Sequence, residues 1–237
     1  MKMQQVNIKF DLTPFWDVNF STYKIHGILF GIVTLFGNYS SKKTIMATLS
    51  GKKVAILTEN GFEEVELTSP KKELEAAGAE VHIVSPQKNK VKAWNHDHWS
   101  IELPVDVSLE KANADDYDAL VIPGGVINPD KMRTNKDCVE FAQHFLEIGK
   151  PVAAICHAPQ LLIETGLISG RNMTSTLAIK TDLENAGVLW ADKEVVVDNG
   201  LVTSRGPKDL QAFNKKIIEE IKEGKHSPTA YTPTPAH

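Results

Sequence analysis

Short apolar runs alternate with amphipathic stretches through the middle of this 237-residue chain. A run that is apolar at every position predicts a strand buried on both faces, and apolar residues every three or four positions predict a helix. Strands alternating with helices indicate an α/β fold, in which a doubly wound, mainly parallel sheet lies between two layers of helices. The predicted strands cover 53–58, 80–85, 118–123 and 151–156, with a hairpin or a strand with loops at 90–108 and a hairpin at 194–205.

A functional site of such a fold is expected at the carboxyl ends of the parallel strands. Ligands bind there, near the point where the strand order reverses. Three loops follow predicted strands and carry polar or glycine residues: TENGFEE at 58–64, PGGVINPD at 123–130 and CHAP at 156–159. These loops are therefore the places where a site is expected.

The two ends of the chain differ in pattern from its middle. Residues 1–45 have no clear period, and their apolar run at 27–37 is too short for a membrane span of about 20 residues. That run resembles the core of a signal peptide, but no cleavage-site pattern follows it. We predict that 1–45 is a leader or a misassigned start, that the domain covers 46–224, and that the Pro/Thr-rich segment 225–237 is disordered.

Charge and cysteine content argue against several classes of protein. The net charge is −4 and no long basic run occurs, so a nucleic-acid partner is not expected. The common glycine-rich nucleotide-binding motifs do not occur either, and no cofactor or metal is predicted. Two cysteines in a chain of this length do not form a disulfide framework, which favours a reducing, cytoplasmic location.

The two cysteines lie in different sequence settings. Cys138 belongs to an amphipathic helix pattern and is predicted to be a structural thiol. Cys156 lies where the run PVAAIC gives way to the helix pattern PQLLIETG. A helix N-terminus lowers the pKa of a thiol and a sharp strand-to-helix turn exposes its side chain, so Cys156 is a candidate nucleophile. A buried core cysteine is the alternative, and His157 can assist the thiol only if the turn is irregular.

Four motifs carry a resemblance to a known family. In chain order they are ENGFEEVELTSP, ALVIPGG, AICHAPQLL and GLVTSRGPKDLQAF. Together they resemble the ThiJ/PfpI family of the class I glutamine amidotransferase-like superfamily, over about residues 50–222. The resemblance is greatest to PfpI-type intracellular proteases and general stress proteins, and it implies a flavodoxin-like, three-layer fold.

The resemblance also implies roles for individual side chains. Cys156 matches the family's nucleophile, and His157 matches its general base or acid. A glutamate after the first strand hydrogen-bonds the thiol in that family; Glu63 matches it, and Glu66 is the fallback candidate. One member of such an acid–thiol pair is expected to hold a proton, because two negative charges in contact repel each other. A carboxylate favoured by a helix N-terminus is the alternative reading of Glu63.

Backbone N–H groups and one further acid complete the implied site. The family's oxyanion hole corresponds to the N–H groups of Gly124, Gly125 and His157. An acid shortly after the Gly-Gly turn completes a triad across a subunit interface, and Asp130 matches it with one extra residue of spacing. Asp stands here where Glu is usual, and Ala158 where Gly is usual. A homo-oligomer is implied, while a helix-capping role for Asp130 stays open.

Two other polar features are candidates. In WNHDHW, His96 and His98 would share one face of a strand, but no third metal ligand is obvious. We expect instead a loop near the active site, or a subunit contact through Trp94 and Trp99. Arg205 could bind an acidic group of a substrate, with a structural role as its alternative.

The expected function is that of a cysteine-dependent hydrolase. Cys156 would attack an electrophilic carbon of a peptide or of a small glyoxal-derived adduct, which are the activities of PfpI-type peptidases and deglycases. The alternative is a stress-response redox sensor or chaperone in which Cys156 is oxidised. A binding protein that has kept the fold and lost the chemistry is a third reading.

Overall fold

The computed structural model describes residues 48–228. The strands are β1 Lys53–Leu57, β2 Phe62–Glu63, β3 Glu80–Ser85, β4 Lys90–Asn95, β5 His98–Pro104, β6 Val107–Ser108, β7 Ala119–Ile122, β8 Val152–Ile155, β9 Asn172–Met173, β10 Leu189–Trp190, β11 Val195–Asp198 and β12 Leu201–Ser204. The helices are α1 Glu64–Ala76, α2 Ile127–Arg133, α3 Lys136–Glu147, α4 Pro159–Ile163, α5 Lys180–Asn185 and α6 Leu210–Glu223. None of these helices is long and apolar enough to cross a membrane. The prediction for 1–45 lies outside the described residues.

Seven strands form the central sheet, in the order β11-β12-β8-β7-β1-β3-β6. Neighbouring strands are parallel except at one edge, where β11 pairs antiparallel with β12. After β1 the chain builds the sheet towards β6, then returns to the other side of β1 and builds it towards β12. This confirms the predicted doubly wound sheet and places the reversal of strand order between β1 and β7.

The side chains of the central strands alternate between two apolar layers. In β1, Ala55 and Leu57 belong to one layer, and Val54 and Ile56 belong to the other. Helices α2 to α5 cover the first layer, and α1 and α6 cover the second. Successive side chains of a strand point to opposite faces, so a sheet with two covered faces requires uninterrupted apolar runs. Cys138 is fully buried in the first layer, as predicted for a structural thiol.

A small sheet, in the order β2-β4-β5, lies beside the loop that follows β1. Strands β4 and β5 form the hairpin predicted within 90–108. Phe62 and Glu63 of β2 pair with Ala93 and Trp94 of β4. The N–H of Glu63 also donates to the carbonyl oxygen of Gly124, at 3.4 Å, in the loop after β7. The hairpin is thereby brought to the carboxyl edge of the central sheet.

The first residues after α6 contact the rest of the domain. The N–H of His226 donates to the carbonyl oxygen of Gly149 at 2.7 Å, and the amide of Asn199 donates to that of Ser227 at 2.8 Å. The disorder of 225–237 stays a prediction: residues 225–228 are described with these two contacts, and 229–237 lie outside the described range. Composition indicates only that a segment lacks an apolar period; it does not register hydrogen bonds to the backbone of a distant loop.

Candidate active site

Cys156 lies in a strained turn directly after β8. Its φ is +63°, a left-handed value that is rare for residues other than glycine and is often found at functional sites. The N–H of Cys156 donates to the carbonyl oxygen of Ser204, at 3.0 Å, at the end of the neighbouring strand β12. Its side chain is partly exposed, in contrast to the buried Cys138. Cys156 is therefore less enclosed than Cys138, although it still packs against the second apolar layer.

The imidazole of His157 lies against this thiol. Its Nδ1 atom is 3.2 Å from the Sγ atom of Cys156. Neighbouring side chains point apart in a regular strand or helix, so the contact depends on the left-handed turn at Cys156. Burial lowers the pKa of His157 below its usual value, so the ring is neutral at pH 7 and can act as a base.

The carboxyl group that acts on the thiol belongs to Glu66, the fallback candidate, whose Oε2 atom and the Cβ atom of Cys156 both lie beside Gly124. Glu66 is fully buried, with 0% of its surface exposed. Glu63 lies in the wall of the same cavity, but it is the carboxyl of Glu66 that influences the pKa of the thiol. The physical reason is local: α1 begins at Glu64, so Glu63 still follows the direction of β2, and the helix turns Glu66 towards the sheet edge. The expectation for Glu63 as the thiol's partner is corrected accordingly.

The acid and the thiol both have raised pKa values. Burial, assisted by the charge of Glu63, raises the pKa of Glu66 to about 8, so this carboxyl is neutral at pH 7. Burial and then the charge of Glu66 raise the pKa of the Cys156 thiol, while backbone hydrogen bonds from Gly125 and His157 act in the opposite direction. The prediction of a thiol with a lowered pKa is therefore wrong. Helix α4 has only five residues, so its N-terminus offsets little of the cost of burying a negative charge.

Two backbone N–H groups are directed at the sulfur, those of Gly125 and His157. The N–H of Gly124 instead donates to Oε2 of Glu66 at 3.0 Å, so the structure corrects its expected role as an oxyanion donor. Gly125 has a φ of +83°, and a Cβ atom there would lie 2.6 Å from the carbonyl oxygen of Gly61. Only glycine fits this position without displacing the loop.

A buried asparagine that the sequence analysis did not single out, Asn128, positions the glycine turn. Its amide donates to the carbonyl oxygens of Pro123 at 2.7 Å and Gly124 at 3.2 Å. Its Oδ1 accepts from the N–H of Glu59, after β1, at 2.7 Å. One side chain therefore ties together the two loops at the reversal of strand order. The only signal in the sequence was a single amide between apolar positions in VINPDKM.

Asp130 lies within α2 and its side chain is exposed. Among residues 48–228 it has no hydrogen bond or ion pair, and no side chain caps the N-terminus of α2. Neither the triad contact with His157 nor the capping role is thus formed within one chain.

The thiol and its partners line a cavity of about 500 Å³. Trp94 and His96 from the small sheet form part of its wall, and Val126 and Ile127 add apolar surface. The expectation that WNHDHW contributes a loop near the site is therefore confirmed for these two residues. The hairpin carries them to the thiol through the pairing of β2 with β4.

His98 takes no part in this cavity. Its Nδ1 is 2.7 Å from the carboxylate of Asp97, and both side chains are exposed. Within the described range, three acid and imidazole side chains lie close enough together to share a metal ion, and all are outside the cavity wall: Glu220, Glu223 and His226. In that group the imidazole is already 3.1 Å from one of the carboxylates.

Arg205 is engaged by two neighbouring carboxylates. Its guanidinium donates two hydrogen bonds to Asp209, at 2.8 and 3.0 Å, and one to Asp192 at 2.7 Å. These contacts favour the structural alternative for Arg205, because its charge is already balanced within the fold.

Known proteins match most of this chain. Residues 52–220 match the model of the DJ-1/PfpI family. The deglycase PfpI of Pyrococcus furiosus is 42% identical over 170 residues, which make up 72% of this chain and 99% of that protein. The putative cysteine protease YraA of Bacillus subtilis is 42% identical over 171 residues, again 72% of this chain and 99% of the relative.

Solved structures have the same fold. The match to DJ-1 of Schizosaccharomyces pombe has a TM-score of 0.64 at 25% identity and covers 71% of this chain and 90% of that one. The match to a two-domain protein of Anabaena variabilis, with DJ-1/ThiJ/PfpI-like and ferritin-like domains, has a TM-score of 0.68 at 42% identity. It covers 72% of this chain and 48% of that protein, so the chain spans about half the length of that relative.

Proposed function

This chain belongs to the DJ-1/PfpI family, and we propose that it is a cysteine-dependent hydrolase with Cys156 as its nucleophile. The observation that carries the proposal is a group of three side chains in one cavity: the thiol at a left-handed turn, Nδ1 of His157 at 3.2 Å, and the buried carboxyl of Glu66. Backbone strain and a buried acid both cost stability, and such features concentrate at functional sites.

The nucleophile is generated by a base during the reaction, because the free thiol is neutral. His157 is the base, since its lowered pKa leaves the ring free to take a proton. As Sγ of Cys156 bonds to a carbonyl carbon, the thiol proton passes to Nδ1 and the carbonyl π electrons move to the oxygen. The N–H groups of Gly125 and His157 donate to that oxygen, and the protonated Glu66 donates to the sulfur.

The second half of the reaction depends on the substrate. With a peptide or amide, the adduct expels the amine, which takes the proton from His157; water then cleaves the thioester, with His157 again as base. With a glyoxal-derived adduct, Sγ bonds to the amine-bearing carbon as the amine leaves with the proton held by His157. A proton shift from that carbon to the neighbouring carbonyl carbon then gives a thioester, which water cleaves to release a hydroxy acid. We favour such small adducts, because the cavity of about 500 Å³ has the size of a small-molecule site. The deglycase name of the P. furiosus relative supports this choice.

The test is turnover of methylglyoxal adducts of N-acetylarginine and of an amide substrate by the full chain. We expect product release by the wild-type protein, loss of turnover in Cys156→Ala, and retention of turnover in Cys138→Ala, since Cys138 is buried away from the cavity. Turnover that persists in Cys156→Ala would overturn the proposal.

A redox sensor that uses the same cysteine is the second candidate. The raised pKa of the thiol favours the hydrolase over the redox sensor. Peroxide reacts with the thiolate form, and little of Cys156 is in that form at neutral pH. Mass spectrometry after mild peroxide treatment separates the two: we expect Cys156 to remain mostly reduced under conditions in which turnover is steady. Rapid, stoichiometric oxidation without turnover would favour the sensor.

We further propose that the active form is a homo-oligomer in the cytoplasm. Val126 at the cavity and Trp99 and Ile101 on the hairpin are 62%, 44% and 41% exposed, and we propose that they belong to a contact surface between subunits. A second copy could then bring its own Asp130 to His157. Light scattering on the full chain tests the oligomer, and two free cysteines support the reducing compartment.

A further inference from the structure

We infer that the cavity selects substrates carrying a positively charged nitrogen group, ammonium or guanidinium, next to the reacting carbon, and that Glu63 supplies the selecting charge. The inference deepens the proposed function and rests on it only for the identity of the reacting atom, the sulfur of Cys156.

One oxygen of the Glu63 carboxyl is not used by the described part of the fold. Its Oε1 atom is buried and has no hydrogen-bond partner among residues 48–228. Glu63 occupies the N-cap position of α1, but its side chain makes no capping hydrogen bond. A buried carboxylate oxygen without a partner costs free energy, so a ligand that supplies donors at this point is stabilised.

The other side chains of the cavity wall leave this charge unbalanced. The wall, within residues 48–228, contains two carboxyl groups and two imidazoles and has no lysine or arginine. The second carboxyl, Glu66, is also fully buried, and its Oε1 has no partner either. Because Glu66 is neutral at pH 7 while the charge of Glu63 acts on it, the negative charge that faces a ligand is that of Glu63.

An aromatic ring stands next to this carboxylate. Trp94 is the register partner of Glu63 in the pairing of β4 with β2, and both residues line the cavity. A carboxylate beside a tryptophan is a favourable setting for ammonium and guanidinium groups, since the ring face attracts cations as well. The same setting repels carboxylates and phosphates.

The charge preference separates the proposed substrates into cationic ones, which the cavity favours, and neutral ones, which it does not. A glyoxal adduct formed on a guanidinium group keeps its positive charge, whereas an adduct formed on a thiol is neutral. The structure therefore assigns the cationic nitrogen adducts, and peptides with a cationic side chain at the cleaved bond, as the preferred substrates.

The experiment measures the charge preference of Cys156 itself and does not depend on turnover. Three methanethiosulfonates of different charge transfer an alkylthio group to the sulfur and release methanesulfinate: the aminoethyl (cationic), propyl (neutral) and sulfonatoethyl (anionic) reagents. Rates at Cys156 are followed at pH 7 and low salt by the mass of the peptide that contains it. Dividing by the rate of the neutral reagent removes any change in the intrinsic reactivity of the thiol.

We expect the wild-type protein to react faster with the cationic than with the anionic reagent. In Glu63→Gln this ratio should fall by at least about tenfold, because a charge within about 10 Å at an effective dielectric constant of about 20 acts with opposite sign on the two charged reagents. The matched control is Glu64→Gln, which removes the same charge from the next residue, outside the cavity wall. An unchanged ratio in Glu63→Gln, or an equal fall in Glu64→Gln, would overturn the inference.

A second measurement covers the case in which Glu63→Gln does not fold. In the wild-type protein, ethylguanidinium should slow labelling of Cys156 by the neutral reagent, whereas propionamide and propionate should not. Equal protection by all three compounds would contradict the charge preference. If the charge preference is present but no adduct is turned over, the proposed hydrolase fails and this inference stands. If adducts are turned over without a charge preference, this inference fails and the hydrolase stands.

Discussion

The carboxyl of Glu66 and the side chain of Cys156 both lie beside Gly124 in a buried setting, and ionisation of the acid raises the pKa of the thiol. The two groups come from α1 and from the turn after β8, which are more than 80 residues apart in the chain. Their protonation states are therefore linked, and this link governs how the thiol responds to pH and to mutation.

Replacing the acid by its amide should lower the pKa of the thiol. Glu66→Gln removes a negative charge that acts on the sulfur, and we expect the midpoint of iodoacetamide labelling at Cys156 to move down by about one pH unit or more. Labelling rates between pH 6 and 10, measured in the wild type, in Glu66→Gln and in the control Glu64→Gln, give the midpoints. A midpoint in Glu66→Gln that stays in place or rises would contradict the assigned effect of Glu66.

The same substitution should change how stability depends on pH. Glu66 titrates near its ordinary value of 4.5 when unfolded and at about 8 when folded, so unfolding releases a proton between these values. The stability contributed by this group is therefore present below pH about 4.5 and is lost as pH rises to about 8, by at most about 1.4 kcal/mol per pH unit. Glu66→Gln should gain stability relative to wild type between pH 5 and 8.

Urea unfolding at several pH values measures that difference. The half-buried Glu64, replaced in the same way, provides the control for the loss of a carboxyl from α1. A difference between Glu66→Gln and wild type that is constant with pH would show that Glu66 is ionised in the folded protein at neutral pH.

Removing the imidazole should remove the acidic limb of the pH profile. Burial lowers the pKa of His157 below its usual 6.5, so kcat/KM should rise with pH through a midpoint below that value as the base is freed. In His157→Gln we expect a fall in kcat/KM of about 100-fold or more and loss of this midpoint. A variant that loses activity but keeps the acidic midpoint would show that another group is the base.

Two glycines with similar backbone angles should differ sharply in their tolerance of a methyl group. Gly125 and Gly170 have φ values of +83° and +78°, but a Cβ on Gly125 would lie 2.6 Å from a carbonyl oxygen, and one on Gly170 would meet nothing within 4 Å. Gly170→Ala should therefore cost only the backbone strain, about 1 kcal/mol, and retain activity. Gly125→Ala should cost more and abolish turnover. Thermal unfolding and kcat measure both, and equal effects of the two changes would contradict the close approach inferred for Gly125.

Much of the architecture was predictable because it depends on the pattern of apolar and polar residues within short segments of the chain. The stretches 54–57 and 151–156 carry no charged or amide side chain, and an apolar run of this kind is typical of a strand covered on both faces. The adjacency of Cys156 and His157 at a strand-to-helix junction likewise predicted where a site would lie. The hairpin that supplies Trp94 and His96 was predicted as an element, and its place beside the thiol was one of two stated alternatives.

The sequence by itself determined the layers of the fold, the edge of the sheet that carries the site, and the thiol and imidazole at its centre, because each depends on residues close together in the chain. Only the tertiary structure decided that Glu66 rather than Glu63 acts on the sulfur, that Gly124 is engaged by that acid, and that the thiol is hard to ionise. These properties depend on burial and on groups from distant segments of the chain. Both determine the free energy of a buried charge, and neither can be inferred from a local sequence pattern.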